Sequence, residues 1–565
     1  MRRIDRRKFI ARSAIKKKYI NMTNCKNCNQ PFTIYPEDQT FYSKIGVSEP
    51  TECPDCRQQR RIAWRNFTNL YVRQCELTGK DVVSRFSPQS KIKVINIYDW
   101  NSDKWDPIRY GRDYDLSRSF FEQFVELYKD IPHSAIWTNN CHNCDYTNLS
   151  AYSNNCYMVF GCVGNEDCYY GHIVWNSQDC RECLYIRKCE LCFKCIDCNE
   201  SYGLFWCSDC SGCNDCKYCY YCKGCQDCVG CYGLINQHQH VLNKPCANDE
   251  EYHREVEKFM ALGEAVRQAK INELRKVMPV RESTIIGCVN CTGNYIYRSK
   301  NCQDCYDTKV SEDTRYCYTL QNGTETYDCC YTAWEIELSY NILASYGYRL
   351  LCCQGCLENS SELDYCQECN AIKNCFGCIG LHNKEQYYIL NKKYSEAEYK
   401  ELRDKIISAL TVSGEWGSFF PIACSPFGYN ETMAAEYYPL IKEAALAKGY
   451  NWLDPDQRDY QEQTYQVPIK IEEVQDDVLT AVLACERCRR NYKIIKQELD
   501  FYRKYGLPLP RKCFHCRHAA RMEKRNPRKL FERSCAHCNK TIRTTYALDR
   551  PEKVYCEECY NREVY

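Results

Sequence analysis

The chain has 565 residues and carries 76 Lys and Arg against 74 Asp and Glu, a net charge of +2. No global field therefore favours a nucleic acid, an acidic partner or a membrane surface. Its 49 cysteines approach the share that marks small disulfide scaffolds, in a chain long enough for three or four domains, and no apolar run approaches the roughly 18 residues of a membrane span.

The chain opens on MRRIDRRKFIARSAIKKKYI, with nine Lys or Arg against one Asp. RRKFI resembles a twin-arginine export signal, but the stretch 11–18 holds three lysines and an arginine where an apolar region is needed. Export is therefore rejected and a cytoplasmic location expected. In a reducing compartment CxxC pairs read as metal ligands rather than disulfide halves. Residues 1–23 are a basic leader: a solvated tail, a stretch ahead of a true start at Met22, or a binding arm.

Cys25, Cys28, Cys53 and Cys56 define a module at 24–66. Two CxxC pairs at this distance predict one tetrahedral zinc site, and so small a module needs the metal to fold. RQQRRIAWRN follows as a short helix with Arg57, Arg60, Arg61 and Arg65 mostly on one face. Such a row is either solvated or a set of phosphate contacts.

A shift of 460 residues lays 24–100 on 484–560 without a gap. Cys25, Cys28, Cys53 and Cys56 fall on Cys485, Cys488, Cys513 and Cys516, and Arg57, Arg61 and Arg65 on Arg517, Arg521 and Arg525. The ends are copies of one module, the second at 484–527. Beyond it, Cys535, Cys538, Cys556 and Cys559 predict a compact zinc ribbon at 528–565. The same positions of the first copy hold Cys75, Thr78, Asn96 and Asp99. That set does not make a structural zinc site, so 67–137 is predicted as a metal-free degenerate ribbon followed by an aromatic helix from Ser119. Asp99, Asp103, Asp106, Asp113 and Asp115 are read as structural, because no EF-hand spacing or partner base accompanies them.

From Cys141 to Cys231, 20 cysteines lie in 91 residues, every one at a position divisible by three. Neither a helix nor a strand keeps that beat on one side, whereas a solenoid with turns a multiple of three long does. This first unit, 138–247, leads into a helix at 248–284 with Asn248 and Glu251 as its capping pair. A second unit at 285–394 closes alike: CFGCIGLHN from Cys375 matches CVGCYGLIN from Cys228, and a helix at 395–411 capped by Ser395 and Glu398 follows. The phase of three shifts within the second unit, which predicts insertions or irregular turns. Three roles are open to the central thiols: small apolar filling, further metal, or disulfides. The tyrosines that directly follow Cys156, Cys168, Cys305, Cys317 and Cys330 favour the first. His238 and His240, near Cys246, look most like histidine ligands. Residues 412–483 hold an aromatic loop, short helices and a polar linker, and the lone Cys424 is read as structural.

The motifs CxxC…FYxKxGxxxPxxCxxCR, at Cys25–Arg57 and again at Cys485–Arg517, resemble the zinc-ribbon or treble-clef ends of a set of uncharacterised cysteine-rich proteins. CELTGK, WDPIRYGRDYDLSRSFFEQF, GEWGSFFP and YALDRPEKVYCEECYNREVY are similar to that set too. The resemblance implies zinc at the terminal ligands and the same layout, with no activity attached.

The expected fold is mainly β with small α elements: cysteine-rich β-solenoid-like repeats in two units, flanked by duplicated zinc-ribbon or treble-clef modules. Three structural Zn2+ sites are expected, with further metal in the central blocks left open. The expected function is a non-enzymatic scaffold binding RNA or DNA through Arg57, Arg60, Arg61, Arg65, Arg517, Arg521, Lys524, Arg525, Arg528 and Lys529. The alternatives are a protein-interaction scaffold and, more weakly, thiol-based metal storage. No membrane partner, catalytic residue or small-molecule substrate is inferred.

Overall fold

The computed structural model describes residues 21–332, 334–383, 385–454 and 460–564. The expected basic leader lies outside them up to residue 20.

The three-residue beat has a backbone cause. From Asn140 to Leu242 every third residue is left-handed, with φ between +47° and +70°. A left-handed residue between extended ones turns the chain sharply, and the repeat closes after twelve residues. Parallel bridges accordingly join residues twelve apart, from His142 with Asn154 to Lys223 with Ile235. Through the middle of the stack the residue after each left-handed corner is buried, and there the cysteines sit: Cys207, Cys210, Cys213, Cys216, Cys219 and Cys222 are fully enclosed. Most of these corners are not glycine, so the array costs conformational energy at each. Asn and Asp, which tolerate this region best, occupy many of them.

In the second stack one 11-stranded sheet runs from Ile285 to Lys393. Its register varies: Gly293 pairs with Cys305, twelve on, Gly323 with Ile336, thirteen on, and Ile336 with Gly347, eleven on. Coils of unequal length are why the cysteine phase shifts here.

The terminal modules are hairpin-plus-helix units. In the first, Asn21–Asn24 pairs with Pro31–Ile34, then α1 (Pro36–Ile45) and α2 (Pro54–Ile62) follow. Pro54 at the first helical position starts α2 earlier than the charge row suggests. A second hairpin, Tyr71–Gln74 with Asp81–Ser84, precedes α3 (Phe120–Asp130). After the first stack come α4 (Asp249–Met260), with Asn248 Oδ1 accepting from Glu251 N at 2.9 Å, and α5 (Glu264–Val277). Gly263 separates what the sequence suggests is one helix. After the second stack, Ser395 and Glu398 form the expected capping box of α6 (Glu396–Val412). The C-terminal copy supplies α7 (Lys496–Lys504), α8 (Phe514–Met522) and α9 (Glu557–Val564).

Each stack is closed at its end by an aromatic side chain. A Cβ on Gly230 would meet the Phe259 ring of α4, and one on the equivalent Gly377 would meet the Phe120 ring of α3. Thus α3, although it precedes the first stack in sequence, covers the second. Each ribbon also lends one strand outward: Val94–Ile95 pairs with His133–Ser134, and Lys553–Tyr555 with Pro279–Arg281, both parallel.

Candidate metal centres and the docking of the terminal modules

Three groups of four sulfurs converge: Cys25, Cys28, Cys53 and Cys56; Cys485, Cys488, Cys513 and Cys516; and Cys535, Cys538, Cys556 and Cys559. Within each, all ligand atoms lie within 4.8 Å of one another. In each group one pair sits on the knuckle of a hairpin and the other at a helix start, which brings distant CxxC motifs together. Cys28 and Cys53 sulfurs are 3.7 Å apart, Cys488 and Cys513 3.6 Å, and Cys538 and Cys556 3.8 Å. A tetrahedron with metal–sulfur bonds of about 2.3 Å has edges of about 3.8 Å, so these are spacings that one ion bridges. Backbone amides support the charge: Cys53 N donates to Cys25 Sγ at 3.2 Å and Cys556 N to Cys535 Sγ at 3.3 Å. Burial alone would raise the Cys485 thiol, but the N–H groups of Cys513, Cys488 and Arg487 hold it down at about 6.

Cys75 keeps half of this geometry. Asn96 N donates to its sulfur at 3.4 Å, as Cys556 N does to Cys535. Asn96 caps a helical turn and Asp99 pairs with Lys104. Around them Val94, Ile95, Ile97, Trp100 and Trp105 are buried, apolar packing at the place where the C-terminal copy has four cysteines.

The arginine rows are where the sequence reading needs correction. Arg57 and Arg61 point into the second stack, both onto Asp328, and Arg61 also donates to Asn341. Arg517 and Arg521 reach the first stack and share Glu182. Arg525 pairs with Asp197 and Asp307, and Arg528 pairs with Asp307 and donates to the Tyr185 hydroxyl at 2.7 Å, so both bridge the two stacks. Arg65 lies over the rings of Phe67 and Tyr331. All seven are buried. The periodicity that puts them on one face is correct, but that face is the docking face, because the coils offer carboxylates to it. Arg60 is half-buried against Glu52, while Lys524 and Lys529 are exposed. Phe514 is buried too, its ring 5.5 Å from that of Phe160.

The two dockings are alike. Asp38 of α1 accepts from the Tyr316 hydroxyl at 3.0 Å, and its copy Glu498 of α7 accepts from Tyr170 at 2.7 Å. The N-terminal module therefore clamps the second stack and the C-terminal module the first. Glu182 is a buried carboxyl that burial alone would raise, yet Arg517, Lys194 and Arg521 hold it at about 2.

The suggested histidines do not converge: His238 faces Asp227 at 3.2 Å and His240 lies 2.9 Å from the His238 carbonyl. Among the described residues neither joins Cys246 in a ligand group. A cluster the sequence gives no hint of is His172, Glu436 and His518. His172 Nδ1 and His518 Nε2 share a hydrogen bond of 3.2 Å. Burial, then His518 and Arg521, push His172 well below the usual imidazole range, and the Arg521, Arg65 and Arg528 guanidinium groups around it disfavour a cation.

No helix among the described residues is long and apolar enough to cross a membrane. Residues 21–63 match the family model described as a probable treble clef domain, in keeping with the hairpin, helix and four-cysteine geometry there. A search of the curated proteins found no match to the chain.

Proposed function

We propose that this protein is a non-enzymatic scaffold in which two cysteine-rich β-solenoids are held together by zinc-stapled modules turned inward, and that its partners are proteins. Zinc is the metal proposed, since four thiolates at tetrahedral spacing suit it and leave no open position for catalysis. The observation that carries the reading is that Arg57, Arg61, Arg517, Arg521, Arg525 and Arg528 are engaged by carboxylates of this same chain. Their removal from the surface withdraws the arginine rows as a reason for expecting a nucleic-acid partner. Protein recognition is supported by the regular, rigid surface of the coils and by exposed side chains such as Tyr146, Tyr152 and Tyr202.

The test pairs a metal count with a binding series on the full chain purified without oxygen. About three zinc ions per chain are expected, and no association with mixed RNA and DNA at low salt. Many more ions would favour metal storage. Binding whose salt slope corresponds to several phosphates, and which Lys524→Gln with Lys529→Gln weakens, would return the nucleic-acid reading.

A further inference from the structure

The halves of the molecule repeat each other closely enough for one arginine to be compared with its counterpart. The 460-residue shift carries Arg65 onto Arg525, and a 146-residue shift carries Tyr170, Glu182 and Tyr185 of the first stack onto Tyr316, Asp328 and Tyr331 of the second. The contacts repeat with the sequence. Arg525 lies over Tyr185 at 3.7 Å, and Arg65 over Tyr331 at 5.0 Å.

The carboxylates do not repeat. Arg525 pairs with Asp197 and Asp307. The same 146-residue shift puts Gly161 at the place of Asp307. Asp197 lies one coil beyond Tyr185, its N–H donating to the Leu184 carbonyl. Ala344 lies one coil beyond Tyr331, donating in the same way to Cys330. Arg65 is thus the counterpart of a doubly paired arginine with both acids deleted. It is only 8% exposed, its Nε has no partner, and among the described residues its guanidinium makes no hydrogen bond or ion pair. Burial without an acid to offset it holds its guanidinium down at about 10.

Each half has a cleft at this place, and the one that lacks the acids is the larger. It lies between the stacks, contains about 820 Å³ of unfilled space, part of it open to solvent, and has Gly161, Ala344 and Arg65 in its lining. Trp137, Trp175 and Trp334, three of the nine tryptophans, line it as well. Arg85 and Glu368 also border it and pair with each other, which leaves Arg65 as the uncompensated charge.

We propose that this cleft binds a small carboxylate with a flat apolar body, the carboxylate meeting Arg65 as Asp197 and Asp307 meet Arg525. A buried guanidinium is a strong, geometrically selective partner for a carboxylate, and tryptophan walls favour an aromatic body.

The experiment titrates the full chain with 2-naphthoate and, as neutral control, 2-naphthamide, following tryptophan fluorescence and heat. Saturable naphthoate binding is expected, at least about tenfold tighter than the amide. Arg65→Met, which keeps the volume and removes the charge, abolishes that preference. Ala344→Asp supplies internally the acid that the other half has, at a left-handed position where Asp is tolerated. It is expected to fold, to melt no lower than wild type and to lose naphthoate binding. The proposal falls if neither naphthoate nor 3-phenylpropionate binds at millimolar concentration, if the amide binds equally well, or if Ala344→Asp binds as wild type does.

Discussion

Inside a coil each thiol does more than fill space. Cys213 Sγ has two carbonyls within reach of its one proton, Ser211 at 3.6 Å and Cys222 at 3.4 Å, and receives Cys225 N at 3.5 Å. One coil earlier in the same column, Ser201 Oγ donates to the Asn199 carbonyl at 2.8 Å and receives Cys213 N at 3.2 Å. The position therefore selects a small side chain that can both give and take a hydrogen bond, so Cys213→Ser is expected to cost about 1 kcal/mol or less in urea unfolding. Cys213→Leu, too large for the interior, is expected to cost about 1–3 kcal/mol. The buried ion pairs allow a sharper contrast. Asp328→Ala strands Arg57 and Arg61 without a counter-charge and is expected to cost about 3–5 kcal/mol. Glu325→Ala removes only the exposed bridge to Lys44 and is expected to change stability by less than about 1 kcal/mol.

Among the elements, the second stack depends on close backbone approach at Gly293. Its φ is +131°, and a Cβ there would run into the Cys305 carbonyl oxygen. Gly293→Ala is expected to open the pairing with Cys305 and raise hydrogen exchange in Cys305–Lys309, leaving exchange of the first stack unchanged. The two ribbons make another element-scale contrast. Cys535→Ser is expected to remove one metal ion and expose residues 528–564 to protease, because the four cysteines tie the hairpin of that ribbon to the start of α9. Cys75→Ser is expected to leave the metal count unchanged, its surroundings being held by Trp100 and Trp105. Loss of an ion from Cys75→Ser would overturn the degenerate-ribbon argument.

For the whole molecule, the clamps make stability depend on acid pH. Glu182 and Glu368 are buried, which alone would raise both. Arg517, Lys194 and Arg521 around the first, and Arg85 and His133 around the second, hold them at about 2 against a usual 4.5. A depressed carboxyl contributes stability that is complete above its unfolded value and is lost as pH falls through the folded one. The urea midpoint is therefore expected to fall as pH drops from about 4.5 towards 2, and Glu182→Gln to flatten part of that limb. Asp197 acts oppositely. Burial, offset only in part by Arg525, pushes it up to about 6, so its contribution is lost as pH rises between about 4 and 6.

The sequence by itself determined the repeats, the twelve terminal cysteine ligands, the helix caps at Asn248 and Ser395, and the three-residue beat. These are written in local spacing, because a hairpin knuckle, a capping box and a left-handed corner each involve residues a few positions apart. The tertiary structure alone decided what the arginines do. Arg57 is 271 residues from Asp328 and Arg517 is 335 from Glu182, and no local pattern distinguishes a solvated basic face from one aimed at buried carboxylates. The same distance hid the cleft at Arg65, whose meaning lies in two acids that are absent, and absence is legible only where the paired arginine of the other half shows what belongs there.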